Sequence, residues 1–466
     1  MTVTLVDGTR VVVPDSLDLF TPYVLLEQQD WFEDEIKFLR RLLQPAMKVV
    51  DIGANYGVYT LSMATAVGPA GYVWAFEPAS GTANLLEQGV AANKFGHVTV
   101  ERIALSSTTG SARLSLNDHS ELNALVRGVP ATGASETVIV STLDERLEAH
   151  GWTGIDFVKI DAEGEEARIL KGGARFFAGQ CPLVQYEIKV GNALHMDLVQ
   201  AFAAMGYDSY RLVPGLDLLV PFDATSPDPF LLNLFCCKPD CAAKLAAAGF
   251  LVRPAELGAR EESLARIKKK TQGAGRWNWR KVLMRLPYAA ALAGRWAAAG
   301  RSTGAEEALA CHALSRDPSA PAAERFFALE ASLQQLKRLC ESGGPQVVVN
   351  LASMARVAKE FGARGIAVAA LNHLCKLLTQ HRPAGLASPF LAPAARFDSI
   401  PRGDAPENWL LAAALEEFER LATYSSFYTG SAARERLEKI RDLGFGSPEM
   451  KRRLDLLQKR VKPLQQ

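Results

Sequence analysis

The spacing of apolar residues changes once along the chain, near Pro239. Before it, short branched apolar runs alternate with stretches of helical period. Beyond it, strand-like runs nearly vanish and alanine and leucine rise. The first part opens with a hairpin pattern, Thr4-Leu5-Val6, a turn at Asp7-Gly8, then Arg10 to Val13, ended by Pro14. Leu25 to Leu43 predicts one helix with Trp31, Phe32, Ile36, Leu39 and Leu42 on one side. Buried strands follow at Val49–Ile52, Gly71–Glu77, Val98–Arg102, Ile155–Ile160 and Pro182–Ile188. Helices are expected between them, among them one from Ser80 to Asn93 with Leu85, Leu86 and Val90 inward. Ser111–Leu116 and Thr137–Val140 read as short extended pieces. Ser141 or Thr142 caps a further helix. Ser209–Val213 and Phe230–Cys237 close the sheet as an antiparallel pair. This alternation predicts an α/β, Rossmann-like, mostly parallel sheet over residues 1–240.

Residues 241–281 read as a basic linker, with Lys268-Lys269-Lys270, Arg276, Trp277, Trp279, Arg280 and Lys281 in a stretch without acids. Residues 282–466 read as an all-α domain. Its helices are expected at 282–299, 304–315, 321–341, 345–361, 364–380, 407–424, 430–443 and 447–461. Ala352 to Leu378 has the look of one tetratricopeptide-like hairpin, but no strict period continues it.

Composition adds only limits. A hydrophobic share of 48% and a charged share of 22% are ordinary for a globular protein, and a net charge of +1 points to no polyanionic partner. No apolar run reaches the roughly eighteen residues of a membrane span. The first residues lack the basic start and apolar block of a signal peptide. The seven cysteines are odd in number and scattered, which fits a reducing cytoplasm. Cys236, Cys237 and Cys241 have no matching Cys/His pair for zinc. Cys311-His312 and the pair His373 and Cys375 read as packing.

The chemistry gathers around Val49 to Tyr59. Asp51 ends a strand, Gly53 opens a tight loop, and a helix follows. Gly53 lets a ligand approach the main chain, and Gly57 lets the helix sit close to the strand. Glu77 ends the next strand, where an acid accepts hydrogen bonds from ribose hydroxyls. A dinucleotide loop wants glycine where this chain has Asn55 and Val58, so NAD and FAD are disfavoured. S-adenosyl-L-methionine carries no phosphate and fits better, with Asp51 facing its positive charges.

Val49–Leu61, Ala75-Phe76-Glu77-Pro78, Ile103-Ala104-Leu105-Ser106, Ser120-Glu121-Leu122-Asn123 and Asp156 to Gly164 occur in that order. Together they resemble the FkbM-type methyltransferases, over roughly residues 30 to 240 and no further. The resemblance implies a class I S-adenosylmethionine-dependent methyltransferase fold and O-methylation of a sugar or related metabolite. The candidate cofactor contacts are Asp51, Gly53, Ala54, Asn55, Gly57, Tyr59, Glu77, Pro78, Ala104, Leu105 and Asp161. The main chain of Ala104 and Leu105 is expected to read the adenine edge. In that family the segment holding Ser120, Glu121 and Asn123 borders the active site, so these are candidate substrate contacts.

An alcohol acceptor needs a base. Asp161 or Glu163 is the candidate, with Glu187, His119 and His195 in reserve. Tyr23, Trp31 and Glu33 are further possible contacts. A metal bridging Asp161, Glu163 and Glu187 is chemically possible, but nothing in their spacing demands one, and no metal is expected. The acceptor is expected to be a small molecule or glycan, not nucleic acid. The helical half is expected to offer a protein-binding groove or to shape the acceptor entrance. The rival reading is a non-catalytic scaffold that keeps a methyltransferase-like domain and works through its helices.

Overall fold

The computed structural model describes residues 1–117, 120, 123–126, 133–190, 193–225, 227–272, 279–298, 303–380 and 386–461. Two compact units emerge. The first comprises Met1–Leu212, Pro221–Pro227 and Leu231–Ala248; the second comprises Val213–Val220, Asp228–Phe230 and Gly249–Gln466.

In the first unit, a hairpin of Thr2–Thr4 and Arg10–Val12 precedes two helices, α1 (Phe20–Gln28) and α2 (Asp34–Leu42). The periodicity predicts a single helix from Leu25 to Leu43; the chain instead breaks at 29–33. Gln29 turns left-handed at φ 57° and its N–H bonds back to the Leu25 carbonyl, ending α1. Asp30 then takes the Trp31 N–H and a forked bond from Arg40 at 2.9 and 2.7 Å. A buried carboxylate with these partners competes with the helical ladder.

The main sheet follows: β1 (Lys48–Ile52), α3 (Val58–Val67), β2 (Tyr72–Phe76), α4 (Ser80–Asn93) and β3 (Val98–Glu101). β4 (Phe157–Ile160), β5 (Leu183–Glu187), β6 (Asp208–Val213) and β7 (Asn233–Cys237) complete it within this unit. Their order is β6-β7-β5-β4-β1-β2-β3. β3, β2, β1, β4 and β5 are parallel, and β7 runs antiparallel to both β5 and β6. Val49, Val50, Ile52, Val73, Phe157, Val158 and Ile160 are almost fully buried, as expected of strands covered on both faces. Ile103–Leu105 does not simply extend β3. It is the edge of a separate four-stranded sheet with Ser135–Ser141, Gly110–Ser115 and Ala124–Leu125. Thr142 caps the helix Leu143–His150 by accepting the Glu145 N–H.

The second unit is helical, with helices at Thr303–Ser315, Ala322–Glu341, Val347–Phe361, Arg364–Gln380, Pro406–Ala422, Gly430–Asp442 and Pro448–Val461. Gly362, left-handed at φ 82°, turns the chain between the third and fourth of these. The expected linker at 241–281 is largely helical, at Pro239–Ala247, Pro254–Leu257 and Arg260–Gln272. Ile267 enters the second unit's apolar core, so the Lys268–Lys270 run is one face of a packed helix. Trp279 is buried in the same core, which removes it from any stacking role; Trp277 lies outside the described residues. Glu416, Glu417 and Glu419 are buried here and pair with Arg396, Arg420, Lys359, Arg436 and Arg453. Among the described residues no helix is long and apolar enough to cross a membrane.

Candidate active site

The strand register sets out the site. Asp51, Lys159 and Gln185 stand abreast on β1, β4 and β5. Side chains two residues apart share a face. Gly53, Asp161 and Glu187 therefore lie on the same face, one step nearer the carboxyl ends of the strands. The ladder continues into this step: the Gly53 N–H donates to Phe76 and the Asp161 N–H to Ile52, both at 3.0 Å. Glu77, just past β2, comes level with Gly53.

These strand ends form one wall of a cavity of about 1080 Å³, counting the part open to solvent. Gly53, Ala54, Asn55, Tyr59, Glu77, Pro78, Ala104, Leu105, Asp161 and Glu163 line it, with Ser120 and Asn123 at the loop side. Trp31 and Glu33 line it too, from the break between α1 and α2. His119 and Glu121 lie outside the described residues.

Five expectations change. Asp51 is fully buried and does not line the cavity. Its Oδ2 accepts from Thr60 at 2.5 Å, and burial pushes its carboxyl up, against the pull of Lys159. Gly57 faces α4: a Cβ there would stand 2.2 Å from the Leu86 side chain, so this glycine admits a helix rather than a ligand. Tyr23 is buried away from the cavity, and His195 precedes the helix Met196–Ala204 without reaching it. Of the adenine-edge pair, Ala104 spends its main chain on Ser135–Ser141, since Ser106 donates to Ser141 and pairing alternates along a strand. Leu105 has its N–H and C=O on the other edge.

The glycine loop is already committed. The Gly53 and Ala54 N–H groups both donate to the Phe76 carbonyl. The Asn55 N–H donates to Glu77 Oε2 and the Ala79 N–H to Oε1, each at 2.8 Å. Asn55 adopts a left-handed conformation at φ 48°, and its Oδ1 accepts from Tyr56 N–H and the Ser120 hydroxyl. A pyrophosphate would need those N–H groups, so the loop does not suit a dinucleotide. Glu77 fits a ribose. Each oxygen keeps a lone pair after its backbone bond, and the carboxylate faces the cavity. Burial pushes this carboxyl up to about 7, opposed by the Ala79 and Asn55 N–H groups. Phe76, Pro78, Ile103 and Leu105 add an apolar wall suited to a base. The donor set therefore fits a nucleoside carrying a charged, phosphate-free tail.

Deeper in, Lys159 is almost wholly buried yet lines the cavity. Its ammonium donates to Asp161 Oδ2 at 2.8 Å and lies 4.8 Å from the centre of the Tyr59 ring. Burial alone would depress this amine; Asp161, Asp51 and Glu33 together raise it. Tyr59 donates to Glu33, which also accepts from Asn233 at 3.2 Å. Gln185 donates to the Tyr59 oxygen at 3.4 Å. Burial raises the Glu33 carboxyl.

Asp161, Glu163 and Glu187 bring one oxygen each within 4.8 Å of one another, close enough to share a divalent cation. Burial first, then Asp161 and Glu163, push the Glu187 carboxyl up to about 10. Glu163 sits at φ 48°, a conformation costly for a residue with a side chain, just before Gly164 at φ 91°. Sequence reasoning missed Lys159 and Gln185. Both are polar residues in an otherwise apolar strand pattern, and that mismatch was the available signal.

A parallel sheet with one antiparallel strand inserted near its edge, and a carboxylate-ringed cavity at the strand ends, is the class I methyltransferase architecture. Residues 51–209 match the family model described as the methyltransferase FkbM domain. Among solved structures the chain is similar to the methyltransferase FkbM of Methylobacillus flagellatus KT, at 18% identity over 41% of this chain and 43% of that one, with a TM-score of 0.28. The chain thus spans less than half the length of that protein. It is also similar to a precorrin-6y C5,15-methyltransferase of Geobacter metallireducens, at 12% identity over 49% and 92% of the two chains, TM-score 0.28. An O-methyltransferase of Bacillus cereus in complex with SAH aligns at 13% identity over 44% and 80%, TM-score 0.26. No curated protein sequence matches the chain.

Proposed function

We propose that the chain is an S-adenosyl-L-methionine-dependent methyltransferase acting on a hydroxyl oxygen of a sugar, glycan or related metabolite. The observation that carries this reading is the row Glu77, Gly53, Asp161 and Glu187 across the strand ends of an FkbM domain. The oxygen and the sugar rest on the family resemblance and on a cavity furnished with hydrogen-bond acceptors.

S-adenosylmethionine would supply an electrophilic methyl on a sulfonium. Glu77 would hold the ribose hydroxyls, and Leu105 main chain with Ile103 and Phe76 would hold the base. The chain's own task at the reacting end is to place and deprotonate an alcohol. Asp161 has one oxygen tied to Lys159 and the other available to the cavity. That second oxygen would meet the charged tail of the cofactor and would also accept the acceptor's hydroxyl proton as the methyl–sulfur bond gives way to the new carbon–oxygen bond. Holding oxygen and methyl in line about 3 Å apart supplies much of the rate. Glu163, at the cavity mouth, orients the acceptor. Glu187 keeps its proton at neutral pH, which spares the trio a third negative charge.

The test is product formation. Purified protein is incubated with isotope-labelled S-adenosylmethionine and a panel of glycans and glycosides, then read by mass spectrometry. The reading requires a product heavier by one labelled methylene and stable to mild base, as an ether is. Label on nitrogen or carbon instead of oxygen contradicts the O-methyl assignment.

A further inference from the structure

We infer that Lys159 is a positioning residue for the cofactor pocket: by binding one oxygen of Asp161 from below, it fixes the direction in which the other oxygen meets the ligand. This inference rests on the methyltransferase reading of the cavity.

The geometry argues it in three steps. Lys159 is on β4 and Asp161 follows one residue past its end, where the ladder still continues, so both side chains leave the same face, with Asp161 nearer the cavity. The Asp161 side chain is 34% exposed and has Oδ2 on the ammonium. A carboxylate held by one oxygen can rotate much less than a free one. It presents the remaining oxygen along one direction, as a positioned ligand-binding group requires. Second, the ammonium is enclosed: Asp51 and Gln185 lie on either side, and the Tyr59 ring stands 4.8 Å away. Tyr59 is itself fixed by Glu33 and Gln185. The lysine therefore has little freedom to choose another partner. Third, the buried ammonium offsets two carboxylates, Asp51 and Asp161, and of the two it is Asp161 that it hydrogen-bonds. Offsetting Asp51 accounts for a cation inside the sheet; the bond to Asp161 accounts for where that cation is directed.

The test is a double-mutant cycle read by calorimetric binding of S-adenosylhomocysteine to the full chain, with thermal unfolding measured in parallel. Lys159→Met and Asp161→Asn are each expected to weaken binding by tenfold or more. The double variant is expected to be no weaker than the worse single one, because both remove the same oriented oxygen. Lys159→Arg keeps a cation for Asp161 and should recover most of the affinity. Lys159→Met leaves the buried Asp51 without its counter-charge and should unfold earlier than the parent, so binding is read well below its melting point, with Lys159→Gln, which keeps polarity, read beside it. Wild-type affinity in the Lys159 variants, or losses that multiply in the double variant, would overturn the inference while leaving the pocket intact. Absence of binding by the unsubstituted chain is a different outcome and removes the pocket reading together with this inference.

Discussion

Gly53 lies against the main chain of Asp161: a Cβ at position 53 would come within 1.7 Å of the Asp161 carbonyl oxygen. The bare backbone of the first loop makes room for the next strand, and this brings β1 and β4 together at the strand ends. Its φ of 81° adds a second reason for glycine. Gly53→Ala is therefore expected to cost about 3 kcal/mol or more, from overpacking against a main chain plus a strained backbone. Urea unfolding measures the loss. Unchanged stability would mean that the two strand ends stand further apart.

Glu77 should make ligand binding depend on pH. Burial raises its carboxyl from the usual 4.5 to about 7. The folded state thus holds this proton more tightly than the unfolded chain does. Its contribution to stability is full below about 4.5 and is lost as pH rises through 7. Hydroxyl donors favour the ionised form, so affinity for S-adenosylhomocysteine should rise between pH 6 and 8, with proton release on binding. Calorimetry in buffers of different ionisation heat measures that release. Glu77→Gln should flatten the profile. It also loses an acceptor for one backbone N–H, at about 1–2 kcal/mol of stability.

Glu187 already keeps its proton at neutral pH, held up to about 10 by burial and by Asp161 and Glu163. Glu187→Gln replaces a neutral acid by a neutral amide, so S-adenosylhomocysteine affinity should change less than about threefold, or about 0.7 kcal/mol. The same proton-sharing picture predicts no effect of EDTA on turnover. A large loss with EDTA that magnesium restores would mean the trio binds a cation instead.

The second unit should be sensitive to single losses in its ion network. Arg453 is 1% exposed and meets the buried Glu419 and the Glu449 carboxylate. Arg453→Met leaves Glu419 with less compensation for its burial, and about 3 kcal/mol of that unit's stability should go. Calorimetric unfolding should show the loss, while S-adenosylhomocysteine binding stays as in the parent chain. A matching fall in affinity would show that the helical unit supports the pocket.

The sheet was legible because its strands are apolar runs closed by glycine and acid, as at Val49 to Gly53 and Phe157 to Gly164. The helices after 303 were legible to within a residue or two, because period, glycine and proline agree there. The break at 29–33 was not, since the apolar period runs straight through it. Only the Asp30–Arg40 fork and the turn at Gln29 reveal it. Helix 260–272 was hidden by its charge: a basic run reads as solvated chain until Ile267 is seen in the core. Asp51 misled for a related reason. An acid at a strand end reads as a ligand contact, but here it hydrogen-bonds Thr60 and balances the buried Lys159. Lys159 lies within the segment Asp156 to Gly164, yet its place is not legible there, because a strand's register with its neighbours, unlike its alternation, is not written in its own sequence.

The central claim is that the carboxylate-ringed cavity at the strand ends holds S-adenosyl-L-methionine. Isothermal calorimetry of the purified full chain, freed of carried-over ligand, tests it most directly. The account predicts saturable one-to-one binding of S-adenosylmethionine and S-adenosylhomocysteine in the micromolar range, weakened by Glu77→Ala. No binding heat at millimolar ligand, with the chain folded, would contradict it.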